Sequence, residues 1–169
     1  MARSFANPLL AVQTRPMPRT VAIIGAGTIG PDIGYYLKSA LPGLKVYLVD
    51  IAQDAVDRAL ERFHAYAAKA VAKGRMTEAQ AAAVTGNLVG TLDYRDIADA
   101  DWVLEAATEN VELKRRIFAA VEAVVRPDTL ITSNTSSLPA EQIFATLQRP
   151  QRATVTHFFA PAWRNPVVE

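Results

Sequence analysis

The chain has no cysteine among its 169 residues. That excludes disulfides, thiolate nucleophiles and cysteine-ligated metal, and it leaves the redox compartment unreadable. It also lacks an excess of charge of either sign: eighteen basic residues face seventeen acidic ones, a formal net charge of +1. Such a balance exerts no overall pull toward nucleic acid or membrane, so neither is an expected partner. No apolar run approaches the ~20 residues of a membrane span. No metal site is expected, and the cytoplasm is the expected compartment. What is present is ordinary for a globular fold, with half the residues hydrophobic and about a fifth charged. The length suits one domain with a sizeable core.

Residues 1–19 carry Arg3, Arg15 and Arg19 and no acid. Pro8, Pro16 and Pro18 interrupt an apolar stretch already too short for a secretory signal. The segment reads as an N-terminal extension, with an organellar presequence as the alternative weighed against it.

The remainder is organised around residues 20–50, TVAIIGAGTIGPDIGYYLKSALPGLKVYLVD. Val21-Ala22-Ile23-Ile24 is an apolar run of the kind that forms a strand buried on both faces. Gly25-Ala26-Gly27-Thr28-Ile29-Gly30 then places G-x-G-x-x-G where a strand should turn into a helix. In that arrangement Gly25 permits the tight turn, Gly27 lets backbone approach a pyrophosphate, and Gly30 lets helix and sheet pack closely. Free N–H groups at the helix start face the phosphate charge, which makes Thr28 and Ile29 candidate contacts as well. Pro31 is tolerated in a first helical turn. Ile29, Ile33, Tyr36, Leu37 and Ala40 give the helix one apolar face. Val46-Tyr47-Leu48-Val49 is the next strand. Asp50 ends it, at the distance where a carboxylate accepts from both adenosine ribose hydroxyls and repels a 2′-phosphate. The cofactor so predicted is NAD rather than NADP.

Residues 52–73 have a helical pattern with Val56, Ala59, Leu60, Phe63, Ala67, Ala70 and Val71 on one face, and Gly74 stops it. Thr77-Glu78-Ala79-Gln80 caps a short second helix. The two predict a helical hairpin projecting from the sheet, with His64 a surface or half-buried residue of it rather than a catalytic one. Strands follow at 87–92, 101–106, 129–132 and 153–159. Between them lie an amphipathic helix at 110–125, with Leu113, Ile117, Ala120, Val121 and Val124 inward, and a short helix at 139–147. Alternating strands and helices predict an α/β fold, a doubly wound, mostly parallel Rossmann-like sheet forming one domain over 20–169.

Ligands of such sheets lie beyond the carboxyl ends of the strands. Three polar clusters fall there: Glu105 and Glu109-Asn110 with Lys114, the run from Ser133 to Ser137, and His157. Each has a plain structural account. Glu109 and Lys114 can be a solvated surface pair, the serines can cap the next helix, and a strand-end histidine can hydrogen-bond in the core.

VAIIGAGTIG, EAATENVELK, SNTSS and HFF, followed by a proline and the last glutamate, together resemble the NAD-binding domain of L-3-hydroxyacyl-CoA dehydrogenases. The resemblance runs from about Thr20 to Glu169. It implies oxidation of a 3-hydroxyacyl-CoA to the 3-ketoacyl-CoA, with hydride passing to NAD, in fatty-acid or related acyl-CoA metabolism. It implies that His157 is the general base and that Glu169 pairs with it. It implies that Ser136 holds the substrate oxygen near the nicotinamide. Glu109, Lys114 and Asn134 fall on cofactor-lining positions, and Lys69 and Lys73 are candidates for contact with CoA. The family's second, helical domain, supplied in cis or in trans, is expected to close the cleft, add a catalytic asparagine and carry the contacts of a homodimer. A histidine with pKa near neutrality suits removal of an alcohol proton, and a glutamate on its other nitrogen fixes the tautomer.

Ala160-Pro161 stands where the family has Asn-Pro, so a polar contact near the nicotinamide is missing unless Asn165 or a water replaces it. Trp163 is placed to reshape the substrate wall. Two competing readings are a dehydrogenase of a free hydroxy acid and a non-catalytic NAD-binding module that needs a partner chain. The first would not need the hairpin lysines, and the second would need neither His157 nor Glu169.

Overall fold

The computed structural model describes residues 16–165 and 167–169; residues 1–15, most of the expected N-terminal extension, lie outside them. Six strands form one sheet: β1 Thr20–Ile24, β2 Lys45–Val49, β3 Leu88–Thr91, β4 Trp102–Glu105, β5 Leu130–Ser133 and β6 Ala153–Val155. Every pairing is parallel and the order is β3-β2-β1-β4-β5-β6. The chain leaves β1 in one direction and later returns to its other side, so the strand order reverses between β1 and β4. A crevice opens at such a point, beyond the carboxyl ends. The register brings those ends level: Ile24 pairs with both Val49 and Glu105, and Glu105 with Ser133.

β1 is buried along its whole length. Because successive side chains alternate, Val21 and Ile23 enter one core and Ala22 and Ile24 the other. The first core lies under α1 (Ile29–Ala40), α2 (Gln53–Ala72) and α3 (Glu78–Thr85). The second lies under α4 (Val111–Glu122) and α5 (Ala140–Ile143).

The apolar faces of α1 and α4 pack on the two cores largely as expected, but each also buries a lysine. On α1 it is Ile33, Tyr35 and Lys38 that are buried, while Ala40 is exposed. Tyr35 meets the rings of Phe63 and Tyr66 edge-on. Lys38 buries its aliphatic stem and donates from its ammonium to the Leu44 carbonyl at 2.6 Å. Burial pushes the Lys38 pKa down. On α4 the buried residues are Lys114, Ile117, Phe118 and Val121, with Leu113, Ala120 and Val124 only half-buried.

The α2–α3 hairpin does not stand away from the sheet along its length. Val56 and Leu60 cover Gly90 of β3, where a Cβ would come within 2.3 Å of Val56. Phe63 fills the space over Gly34 of α1. The turn between the helices is as expected, with Gly74 at φ +63° and a Thr77–Gln80 capping box.

The last strand is shorter than its apolar pattern. β6 ends at Val155, because β5 offers no partner beyond Ser133. Thr156 N–H still donates to the Ser133 carbonyl at 2.9 Å, after which Phe158 pairs antiparallel with Val168. The helix expected at 139–147 contracts to the single turn of α5.

Candidate cofactor and catalytic site

The three glycines of the β1–α1 turn have different jobs. Gly25 holds φ +109°, and a Cβ there would lie 2.6 Å from the Ala106 carbonyl oxygen. At Gly30 a Cβ would lie 2.0 Å from the Gly25 carbonyl oxygen. Neither position admits a side chain. Around Gly27 nothing lies within 4 Å of where a Cβ would be. The middle glycine is therefore not required by the chain's own packing; it keeps open the space a close-lying ligand would occupy. Thr28 makes no side-chain cap on α1, so its hydroxyl does not compete for the first-turn N–H groups. These features fit a pyrophosphate.

Asp50 braces the turn from β2. Its Oδ2 accepts from Ala26 N–H at 2.8 Å and its Oδ1 from Ala52 N–H at 3.2 Å. Each oxygen keeps further acceptor capacity for a ribose hydroxyl.

Glu105, expected on the rim, is fully buried. Its Oε1 accepts from the Lys114 ammonium and from Ala107 N–H, both at 2.7 Å, and its Oε2 from the Ser133 hydroxyl at 2.6 Å. Lys114 is only 1% exposed and donates also to the Ala107 carbonyl at 3.3 Å. Glu109 and Lys114 do pair, but not as the solvated surface pair considered from sequence, because the ammonium is buried. Glu109 Oε2 lies 3.8 Å from the ammonium, is 45% exposed and accepts from the Thr135 hydroxyl at 2.8 Å. Of the two carboxylates around Lys114, Glu105 is fully buried and Glu109 is the solvent-accessible one. A buried pair with this many hydrogen bonds meets the condition under which burial of charge is tolerated.

The β5 loop ties the histidine segment down. Asn134 N–H donates to the Glu105 carbonyl at 2.7 Å, and Asn134 Oδ1 accepts from Phe158 N–H at 2.8 Å. α5 has no side-chain cap; in the loop before it Thr135 Oγ1 accepts from Leu138 N–H at 3.1 Å. Ser136 and Ser137 are exposed. Ser136 thus stays free for a ligand.

His157 and Glu169 are joined twice through the backbone. His157 N–H donates to the Glu169 carbonyl at 2.8 Å, and Glu169 N–H returns a bond at 3.0 Å. Between the side chains, His157 Nδ1 lies 3.3 Å from Glu169 Oε2. With Nδ1 as donor, Nε2 is left as a free acceptor, the arrangement a general base requires. The imidazole packs on the Phe159 ring at 4.6 Å. Asn165 is engaged locally, its Oδ1 accepting from Val167 N–H at 3.3 Å. Trp163 lies against Tyr66 of α2, ring centroids 5.6 Å apart. His64 and Lys69 are exposed on α2, and Lys73 is exposed at its C-cap.

Residues 20–169 match the family described as 3-hydroxyacyl-CoA dehydrogenase, NAD binding domain. The chain belongs to that family. Membership in this NAD-binding family assigns NAD as the cofactor, in agreement with the open turn at Gly27. The 3-hydroxyadipyl-CoA dehydrogenase of Escherichia coli K12 is 38% identical over 151 residues, 89% of this chain and 31% of that protein. The crystal structure of 3-hydroxybutyryl-CoA dehydrogenase from the same organism superposes with a TM-score of 0.82 at 38% identity, over 86% of this chain and 30% of that one. The (S)-3-hydroxybutyryl-CoA dehydrogenase PaaH1 of Ralstonia eutropha gives 0.84 at 34% identity, over 89% and 53%. The chain thus spans between about a third and a half of the length of these relatives.

Within this NAD-binding domain, sequence reasoning passed over one group that touches the glycine turn. Arg62 and Tyr66 of α2 converge on Asp32, in the first turn of α1. Their i, i+4 spacing puts two polar groups beside Phe63 on the inward side of α2, a signal that was there to be read. Nothing local in the sequence pairs either with Asp32.

Proposed function

We propose that the chain is the cofactor-holding half of a dehydrogenase that oxidises a 3-hydroxyacyl-CoA to the 3-ketoacyl-CoA. One observation carries the reading: the His157–Glu169 pair lies past the carboxyl end of β6, on the same carboxyl-end side of the parallel sheet as the open glycine turn after β1. A pure binding module needs no such pair.

When bound, NAD supplies the hydride acceptor. The chain's own residues do the rest. N–H groups of the 27–29 turn hold the pyrophosphate, and Asp50 takes the adenosine ribose hydroxyls. Glu109 and Asn134 line the nicotinamide side, with Lys114 bracing Glu109 from below. Ser136 holds the substrate oxygen, and His157 Nε2 accepts the hydroxyl proton. Glu169 keeps Nδ1 protonated and offsets the imidazolium charge that results. Lys69 and Lys73 meet the CoA phosphates. A helical second domain, in cis or in trans, completes the cleft and the homodimer. The relatives' names point to short acyl chains, unsubstituted or ending in a carboxylate.

Titration with NADH and NADPH, followed by protein fluorescence and calorimetry, tests the cofactor half. Saturable NADH binding is expected, with NADPH at least ~10-fold weaker because Asp50 repels a 2′-phosphate. Equal affinities would remove that role from Asp50, and absence of NADH binding would remove the reading altogether. Adding 3-hydroxybutyryl-CoA should then give slow turnover that His157→Gln abolishes. Full turnover by the chain alone would show that no second domain is needed.

A further inference from the structure

We propose that Arg62 is a positioning residue for the pyrophosphate of the dinucleotide, acting through the carbonyls of the glycine turn; the inference rests on the assignment of NAD to that turn. Arg62 lies on α2, beyond β2, yet its guanidinium reaches back beneath the start of α1. Nη2 donates to the Thr28 carbonyl at 2.5 Å and to Asp32 Oδ1 at 2.6 Å, and Nη1 lies 3.3 Å from the Gly27 carbonyl oxygen. One planar fork thus holds two consecutive carbonyls and a carboxylate.

Peptide geometry turns this into a statement about the ligand. In a trans peptide the C=O and the following N–H point in opposite directions. Drawing the Gly27 and Thr28 carbonyls toward Arg62 therefore directs the N–H groups of Thr28 and Ile29 away from it. Those are the amides that a phosphate at the start of α1 requires. Without the clamp these peptide planes are free to rock, and the donors must be ordered when the ligand binds. Pre-ordering them removes that cost from binding.

The charges lead to the same role. The Asp32 side chain is 8% exposed and sits in the first turn of α1, where a carboxylate suits the helix dipole but opposes an incoming phosphate. Arg62 cancels that charge at contact distance. Tyr66 donates to the same Oδ1 at 3.0 Å and is itself held between Tyr35 and Trp163. The base of the clamp is thus packed on both sides, and it ties the cofactor turn to the loop that leads to Glu169.

The test uses two variants of the full chain and three ligands. Arg62→Lys keeps the charge but loses the fork; Asp32→Asn with Arg62→Gln removes both charges, so no buried ion is left uncompensated. Calorimetry with NADH and ADP-ribose, and ligand-observed NMR with adenosine, separate the pyrophosphate from the rest of the molecule. Both variants should bind NADH and ADP-ribose roughly tenfold more weakly, the scale of one charge-assisted contact, while adenosine stays within about twofold. Unchanged NADH affinity in both variants, or equal loss for all three ligands, overturns the proposal. Failure of the parent chain to bind NADH or ADP-ribose would instead overturn the NAD assignment beneath it.

Discussion

At the β1–α1 corner short contacts fix the main chain and leave only the Gly27 side open: Gly25 N–H reaches the Val49 carbonyl at 2.7 Å, Ala26 N–H reaches the Asp50 carboxylate at 2.8 Å, and Gly30 packs against the Gly25 carbonyl. At the β6 corner the histidine is held by a two-residue bridge to Glu169, and the carboxylate that partners it is 71% exposed and 3.3 Å away. The first corner is complete within this chain. The second is assembled from a strand end and a short return segment, and its side-chain contact is long. Cofactor binding should therefore be robust in the isolated chain, and catalysis should depend on what closes over the second corner.

The strongest challenge to that contrast is Gly30→Ala. A methyl 2.0 Å from a main-chain oxygen has nowhere to go. The variant should fail to fold or lose well over ~10 °C in melting temperature by calorimetry. An unaffected melting point would mean that the first corner opens easily. Next is Lys114→Met, which strands the fully buried Glu105 between the corners. A loss of about 3–5 kcal/mol, roughly 10 °C, is expected in thermal melts. Replacing Glu105 by Gln in the same chain should recover part of it, since an uncharged acceptor remains for Ser133 and Ala107.

Acid should act outside both corners. Desolvation raises the pKa of Asp101, but N–H donors of Arg19 and Thr20 and the Arg126 guanidinium outweigh it, leaving the group below its usual 3.8. Glu122 is likewise desolvated but held below its usual 4.5 by Gln148 N–H, Arg152 and Arg149 N–H. A depressed folded-state pKa contributes stability that is present above the unfolded value and lost as pH falls through the folded one. Melting temperature should stay level from pH 7 to about 5 and decline below about 4.5. Glu122→Gln should flatten that decline. A curve unchanged by this substitution would place the acid lability elsewhere.

The smallest expected effect sharpens the contrast most. His157→Asn should shift melting by no more than about 2 °C and leave NADH affinity within about twofold, because the side-chain contact it removes is 3.3 Å long and its carboxylate is largely solvated. A large fall in NADH affinity would show that the two corners are energetically one.

Much of this was legible in the chain. The G-x-G-x-x-G turn, the strand before it and Asp50 after it depend on residues close in sequence, and local spacing encodes them. So does the Thr77–Gln80 cap. The polar rim was legible only as a set of strand ends. Which member is buried and which is presented depends on register across strands: Glu105 pairs with Ser133, and Lys114 follows it inward. A polar–apolar pattern assigns a lysine to the surface, and here two of them are in the core.

What the amino-acid order determined by itself is therefore the parallel α/β alternation, the dinucleotide turn and the family. Each rests on periodicities and short-range steric demands that hold in any context. Only the tertiary structure decided that Arg62 reaches back across more than thirty residues to Gly27 and Thr28 and that β6 stops at Val155. Those contacts join segments whose separation in sequence carries no signal, and they exist because the packed sheet brings its strand ends level.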